Sequence, residues 1–217
     1  YHSRVEGRLH VITNGYDTAD SPDKSILPDK KFTICHIGSL NADRNPHEFW
    51  EVLSELCKED TGFANDLEIR LTGNVSPAIF DSLRQNELES HIEHIPYAPH
   101  TEVVRSQHSA RVLLLLMNRT PAGTLYIAGK LFEYLAARRP ILLAGFAKSD
   151  AADILRECQA GYALDFSDKV GLKQAIAQLY ADYKTGKDTS VPICTALEKY
   201  SRYALSERLA REVILRK

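Results

Sequence analysis

The sequence predicts a doubly wound, Rossmann-like α/β fold, in which a parallel sheet of about six strands is covered by helices on both faces. From Lys31 onward, short β-branched apolar runs alternate with longer segments of helical periodicity, as in chains that form parallel sheets with crossover helices. The strand candidates are almost continuously apolar, as in Val112 to Met117, which is typical of strands buried on both faces. With 217 residues, of which 44% are apolar, the chain is long enough to bury one such core.

The individual elements follow from these two patterns. The predicted strands run from Phe32 to Ile37, Leu67 to Thr72, Ile92 to Ile95, Ala110 to Met117, Pro140 to Ala144 and Tyr162 to Asp165. The predicted helices run from Pro46 to Lys58, Pro77 to Asn86, Thr101 to Gln107, Gly129 to Ala137, Ala151 to Gln159 and Val170 to Lys184. Pro46 and Pro77 would stand in the first turn of their helices, where proline is tolerated.

The two ends of the chain depart from this alternation. Residues 1–29 hold one short apolar run, Leu9 to Ile12, then the turn signal Asn14-Gly15 and a polar stretch, which together indicate a strand end and a connector. A chain that begins in a connector is expected to be a piece of a longer protein. Residues 185–217 are predicted to form a polar linker, Thr185 to Pro192, and a last helix from about Thr195 to Arg216. The ligand-binding α/β domain would span 30–184.

Composition excludes several classes of function. A formal net charge of −2 gives no bulk attraction to nucleic acid or to an anionic membrane. The sequence shows neither a run of about 20 apolar residues nor a charged-then-apolar leader, so a cytoplasmic, soluble protein is expected. The eight histidines form no metal-ligand spacing, and neither a GxSxG elbow nor a nucleophilic cysteine context occurs. Four widely separated cysteines are expected to be reduced structural thiols: Cys35, Cys57, Cys158 and Cys194.

The loops after the first two strands contain the first candidate site residues, because ligands of open α/β sheets bind beyond the carboxyl ends of the strands. Gly38 permits a sharp turn or a close backbone approach, and Ser39 offers a hydrogen bond. Arg44, near the start of the next helix, could bind a phosphate through two hydrogen bonds. An ordinary turn with a solvated arginine explains the same residues, and Gly73 in the next loop could equally mark a plain turn. The GxGxxG fingerprint of dinucleotide-binding loops is absent.

The loop after the fourth strand gives the sharpest signal. It contains Gly123 and Thr124 and ends at a helix start, where the backbone amides of Gly129, Lys130 and Leu131 could cradle a diphosphate and the Lys130 ammonium could neutralise it. Glu133, one turn further on the same side, could accept two hydrogen bonds from a ribose diol. A surface ion pair between Lys130 and Glu133 is the alternative interpretation. The glycine and lysine spacing does not match a Walker A loop.

The turn after the third strand is the remaining candidate. The backbone of Ile95 and the ring of Tyr97 could form one wall of a pocket for a nucleobase. Such residues more often pack against their own domain, and the sequence leaves both interpretations open.

Three of these segments, in this order, resemble a known family. They are Val11-Ile-Thr-Asn-Gly-Tyr-Asp17, the Gly38 loop with Arg44, and the stretch from Gly129 to Ile141 that begins Gly-Lys-Leu-Phe-Glu. Together they resemble the C-terminal domain of retaining GT-B glycosyltransferases of glycosyltransferase family 4, also called group 1, over nearly the whole chain.

The resemblance implies specific roles. The domain would bind a nucleotide-diphosphate sugar without a metal ion or other cofactor, with Arg44 and Lys130 at the diphosphate, Glu133 at the ribose, and Gly129 to Leu131 meeting phosphate. The segment around Asn14 would connect it to a missing N-terminal, acceptor-binding domain, in which any peripheral association with the inner face of a membrane would reside. This piece alone would bind the donor without transferring the sugar.

The sequence departs from the family pattern at two positions. Ser39 stands where the family often has an arginine, and Leu125 stands where the first of two glutamates spaced eight apart usually contacts the sugar. Two alternatives therefore remain: a non-catalytic nucleotide-sugar-binding module, and half of a nucleotide-sugar epimerase, which would be expected to bring acidic and histidine residues into the sugar pocket.

Overall fold

A computed structural model describes residues 10–20, 25–191 and 195–214. The six-stranded sheet predicted from the sequence is confirmed, and every strand pair within it is parallel. The strands are β1 (Phe32–Ile37), β2 (Leu67–Thr72), β3 (Ile92–Ile95), β4 (Val112–Leu116), β5 (Ile141–Gly145) and β6 (Gly161–Asp165). Their order is β3-β2-β1-β4-β5-β6, so the direction of winding reverses between β1 and β4. In open α/β sheets, this reversal opens the crevice in which ligands bind.

Helices cover both faces of the sheet. They are α1 (His47–Glu59), α2 (Thr61–Asp66), α3 (Pro77–Gln85), α4 (His100–Ser109), α5 (Gly129–Ala137), α6 (Asp150–Glu157), α7 (Lys169–Lys184), α8 (Thr195–Glu198) and α9 (Arg202–Leu209), which continues into a π-helical turn, Ala210–Ile214. Because side chains alternate along a strand, Phe32 and Ile34 of β1 pack with α1, α3 and α7, whereas Cys35 and Ile37 pack with α5 and α6. The two faces therefore form two separate apolar clusters.

The bounds of the fourth strand and of the helix before it differ from the prediction. Helix α4 extends to Ser109, and the amide of Ala110 donates to the Ser106 carbonyl as the cap of that helix. Strand β4 consequently begins at Val112 rather than at Ala110. Pro46 is not in the first turn of α1 as predicted, because it is the N-cap residue and precedes that turn. Pro77 does occupy the first turn of α3.

A short helix, α2, was not predicted. The carboxylate of Asp60 accepts hydrogen bonds from the amides of Gly62 and Phe63, which caps the helix at its N-terminus. Phe63 is buried against Phe32. The Asp-Thr-Gly sequence was the available signal for this cap.

The prediction of one long C-terminal helix is wrong. The chain breaks between α8 and α9, where Ser201 accepts a hydrogen bond from the amide of Ala204 and caps a new helix. Tyr16 stabilises this break by two backbone hydrogen bonds. Its amide donates to the Tyr200 carbonyl, and its carbonyl accepts from the amide of Arg202. The segment around Asn14 is thus anchored on the C-terminal helices, and residues 10–12 are not in a strand.

Several predicted features lie outside the described residues. They are Leu9, Pro192, Cys194 and the end of the last helix at Arg216. Cys35 and Cys57 are free thiols, and Cys158 is buried. In the described part of the chain, no helix is both long enough and apolar enough to cross a membrane.

Candidate functional site

A cavity of about 200 Å³ opens at the carboxyl ends of β1 and β4, where the winding reverses. Four of the residues predicted from sequence line it together: Ser39, Arg44, Gly129 and Lys130. They come from the loop after β1, the 3-10 turn that follows it, and the start of α5. The topology of the sheet therefore brings these four residues into one site.

The start of α5 supplies backbone donors to this cavity. Its N-cap residue is Ala128, which has no side-chain acceptor, so the amides of Gly129 and Lys130 have no hydrogen-bond acceptor among the described residues. Leu131 departs from the expectation, because its amide donates to the Ala128 carbonyl 3.0 Å away and its side chain is buried. Two amides rather than three are free to bind an anion.

The two cations of the site are held by different contacts. Lys130 Nζ lies 3.6 Å from Glu133 Oε2, so the i,i+3 ion pair considered from sequence is present. The same oxygen accepts a hydrogen bond of 3.1 Å from Gln107 Nε2, while Glu133 Oε1 has no partner among the described residues. Arg44 is oriented by a hydrogen bond from its Nε to Asn118 Oδ1, which leaves its two terminal nitrogens for other acceptors.

The glycines after β1 and β2 shape the cavity wall. Gly38 has a φ of +115°, and a β-carbon there would stand 2.9 Å from Lys130 Cε. Gly73 has a φ of +117° and lies against the carbonyl of Gly38, where a β-carbon would stand 2.8 Å from the oxygen. Gly73 therefore supports the Gly38 turn from behind and is not among the residues that line the cavity.

The remaining predicted residues lie apart from the cavity. Ile95 accepts the amide of Gly73 through its carbonyl, and the Tyr97 side chain is 83% exposed. Gly123 is buried where a β-carbon would meet the Asn118 carbonyl and the Phe146 ring, so its role is close packing. Thr124 lies beside Gly123 in the 3-10 turn Pro121–Leu125 and does not line the cavity.

Three polar residues of the site had no predicted role. His36 of β1 lines the cavity, Asn118 orients Arg44, and the Asn14 side chain lies close to the start of α5, where a β-carbon on Gly129 would stand 3.1 Å from Asn14 Nδ2. His36 and Asn118 each had a usable signal, since one is a polar residue inside an apolar strand and the other follows a buried strand directly. No sequence signal placed Asn14 at the site, because its position there depends on the hydrogen bonds that Tyr16 makes to the C-terminal helices.

The His36 imidazole is neutral in this setting. Its pKa is lowered to about 4, chiefly by burial and in part by the nearby charges of Lys130 and Arg44, against the opposing effects of the Leu114 carbonyl and the Ser39 backbone. His36 Nδ1 lies 3.0 Å from that carbonyl oxygen, which can only accept, so Nδ1 carries the proton. His36 Nε2 is buried and has no hydrogen-bond partner among the described residues.

No three His, Cys, Asp or Glu side chains converge as metal ligands within the described residues. The polar residues that line the cavity are the cations Lys130 and Arg44, together with His36, Ser39 and Tyr126. With the free backbone amides at the start of α5, the two cations suit an anion. The arrangement can therefore bind a phosphate or diphosphate group.

No protein-family model matches the sequence, and no curated protein matches it. Solved structures do match the fold. WaaG, a glycosyltransferase involved in lipopolysaccharide biosynthesis, superposes with a TM-score of 0.66 at 12% identity over 96% of this chain and 57% of its own. A variant of TarM from S. aureus, in complex with fondaparinux, α-GlcNAc-glycerol and UDP, gives 0.64 at 16% identity over 94% of this chain and 39% of its own.

The C-terminal domain of LpcC, a glycosyl transferase group 1 family protein from Francisella tularensis, gives a TM-score of 0.57 at 15% identity over 92% of this chain and 98% of that domain. The chain thus spans about half the length or less of WaaG and TarM, and nearly all of the LpcC domain. Its fold is the Rossmann-like α/β fold found in the C-terminal domains of GT-B glycosyltransferases.

Proposed function

We propose that this chain is the donor-binding half of a retaining glycosyltransferase and that the cavity between β1 and β4 binds the diphosphate of a nucleotide-sugar. One observation carries the proposal: the Lys130 ammonium, the Arg44 guanidinium and the free amides at the start of α5 meet at a single cavity. No carboxylate is among the described residues that line it. The similarity in fold to GT-B glycosyltransferases supports the same assignment.

The chemistry follows from the charge that develops on the leaving group. As the glycosidic bond to the nucleotide breaks, negative charge accumulates on the diphosphate while the sugar becomes oxocarbenium-like. Lys130 and Arg44, with the helix-end amides, stabilise that charge, so no metal ion is needed. Glu133 Oε1 accepts the ribose hydroxyls, one helical turn from the phosphates.

The donor sugar is proposed to be of hexose type and the acceptor a glycan or a lipid-linked glycan. The lipopolysaccharide role of WaaG and the UDP and α-GlcNAc-glycerol held by TarM support these classes and make UDP the first nucleotide to test. A separate acceptor-binding domain would complete the enzyme. The whole enzyme would act in polysaccharide or glycolipid assembly in the cytoplasm, with any peripheral membrane contact made by that other domain.

A non-catalytic nucleotide-sugar-binding module is the second candidate. It is favoured by Leu125, which is 76% exposed beside the Lys130 loop and offers a sugar no hydrogen bond. The epimerase alternative lacks such an observation, since the loop from Pro121 to Lys130 brings neither a carboxylate nor a histidine.

Isothermal titration calorimetry of the chain with UDP, GDP, ADP and their hexose conjugates tests the proposal. One nucleoside diphosphate should bind, and Lys130→Ala and Glu133→Ala should each weaken its affinity by about tenfold or more, as expected for lost charge-assisted hydrogen bonds. Lys173 and Glu55 form a comparable surface ion pair on α7 and α1, so Lys173→Ala and Glu55→Ala are matched controls that should leave the affinity unchanged. Absence of binding at millimolar concentration would rule the donor site out for this chain.

A further inference from the structure

His36 occupies an unusual place for a titratable side chain. It is the next-to-last residue of β1, it is 3% exposed, and its ring forms part of the cavity together with Lys130 and Arg44. Among the described residues that line the cavity, it is the one group whose charge can change between pH 4 and pH 7.

The two nitrogens of the ring have different surroundings. Nδ1 carries the proton, because it faces the Leu114 carbonyl at 3.0 Å. Nε2 is buried and has no hydrogen-bond partner in the described part of the chain. The backbone of Ser39 is nevertheless close enough to raise the pKa of the ring. Buried polar atoms are almost always satisfied in native proteins, so this nitrogen calls for a functional explanation.

The charges that act on His36 come from outside its own strand. Lys130 on α5 and Arg44 in the 3-10 turn both disfavour the imidazolium, while strand β4 contributes only the uncharged Leu114 carbonyl. A phosphate group bound by these two cations would cancel the repulsion that they exert on a protonated His36. It would also add negative charge next to the ring. Neighbouring negative charge favours the protonated form of histidine.

We propose that His36 takes up one proton when a phosphate group binds in this cavity, and that the imidazolium then serves as a third positive charge beside Lys130 and Arg44. The proton comes from solvent and binds Nε2, and the proton already on Nδ1 stays there, donated to the Leu114 carbonyl. The protonated Nε2 then donates to the phosphate or to the Ser39 backbone. This inference rests on the proposed function and adds a coupling between ligand binding and proton uptake.

Nitrogen-15 NMR of the histidine rings in the wild-type chain tests this coupling of ligand binding to proton uptake directly. The measurement is made at pH 5.5, where His36 of the ligand-free chain is neutral. Saturation with UDP, or with inorganic pyrophosphate, should move the Nε2 resonance from the value of a bare ring nitrogen to that of a protonated one. The Nδ1 resonance should stay that of a protonated nitrogen. A complex in which the ligand is bound and Nε2 remains bare overturns the inference and leaves the proposed function intact.

A second measurement compares affinities for UDP in the wild type and in His36→Asn, which retains a donor for the Leu114 carbonyl. UDP itself titrates near pH 6, and the comparison removes that contribution. If the bound-state pKa reaches its unperturbed value, lowering the pH from 7.5 to 5.5 should raise the wild-type affinity relative to the variant by about tenfold. An affinity ratio that does not change with pH would overturn the inference. If neither UDP nor pyrophosphate binds at millimolar concentration, the proposed function and the inference fail together.

Discussion

The side chain of Lys130 lies directly over Gly38: a β-carbon at position 38 would stand 2.9 Å from Lys130 Cε and 3.3 Å from Lys130 Nζ. This contact joins the loop after β1 to the start of α5 across the point where the sheet reverses. The Lys130 ammonium can therefore occupy its position at the cavity only because residue 38 has no side chain.

Gly38→Ala should weaken the binding of a nucleoside diphosphate by about tenfold, because the new methyl group displaces Lys130 from the cavity. The variant should also lose about 1 kcal/mol or more of stability, since a φ of +115° is strained for alanine. Calorimetry and urea unfolding measure the two effects. Gly186→Ala is the matched control, because Gly186 also has a positive φ, of +66°, but a β-carbon there would meet no described atom within 4 Å. Equal ligand affinity in Gly38→Ala and the wild type would contradict the account of this contact.

Asn118 should affect the ligand only through Arg44, which it orients by accepting a hydrogen bond from Arg44 Nε. Asn118→Ala should therefore weaken nucleotide binding less than Arg44→Ala, by roughly threefold. The double variant should bind no more weakly than Arg44→Ala alone, because the two residues act as a unit. A double-mutant cycle by calorimetry gives this coupling. Additive losses would mean that Asn118 contacts the ligand independently.

Gly15 provides the connection between the segment of residues 10–20 and the C-terminal helices. A β-carbon at this position would stand 2.4 Å from the Tyr200 carbonyl and 2.6 Å from Leu205 Cδ1. Gly15→Ala should cost about 1 to 3 kcal/mol of stability by overpacking and should move Asn14 away from the start of α5.

The measurement for Gly15→Ala is hydrogen exchange of the Tyr16 and Arg202 amides, both of which are bonded across this contact. Their protection should fall together. Unchanged protection of both amides would show that the contact is not required for docking of the segment.

The pH dependence of stability should carry the signature of His36. Its pKa is about 4 in the folded chain and near 6.5 when unfolded, so the unfolded state binds more protons between these values. Stability should therefore fall as the pH drops from about 6.5 to 4, by up to about 3 kcal/mol, and His36 should contribute no further loss below that window. The control is His36→Asn, which cannot titrate. Urea unfolding of both proteins at several pH values isolates the difference, and parallel profiles would contradict a buried neutral His36.

Local pattern was enough to predict most of the sheet. The bounds of β1, β2 and β3 agree with the prediction to the residue, because each is a compact apolar or alternating run between turn signals. The last helix could not be predicted correctly from local pattern, because the break at Ser201 depends on hydrogen bonds to Tyr16, which lies far away in sequence. Tertiary contacts outweighed the helical periodicity there.

The candidate site also combines residues that a local sequence signal identifies with contacts between residues far apart in sequence. Gly129 and Lys130 could be identified because a glycine and a cation at a helix start form a local signal. The pairing of Arg44 with Asn118 spans 74 residues, and the juxtaposition of Asn14 with Gly129 spans more than one hundred, so neither has a local signature. The proton on His36 Nδ1 depends on a carbonyl of the neighbouring strand and follows only from the register of β1 and β4.

The central claim, that a nucleotide diphosphate binds at the switch point between β1 and β4, is tested most directly by mapping amide chemical-shift changes as UDP is added. We predict the largest changes at Ser39, Gly129 and Lys130, and their loss in Lys130→Ala. The largest changes would instead fall on residues such as Gly161, Lys187 and Ser190 if the ligand occupied the groove that these residues line near the amino ends of β5 and β6. That pattern, or the absence of any saturable change, would contradict the assignment.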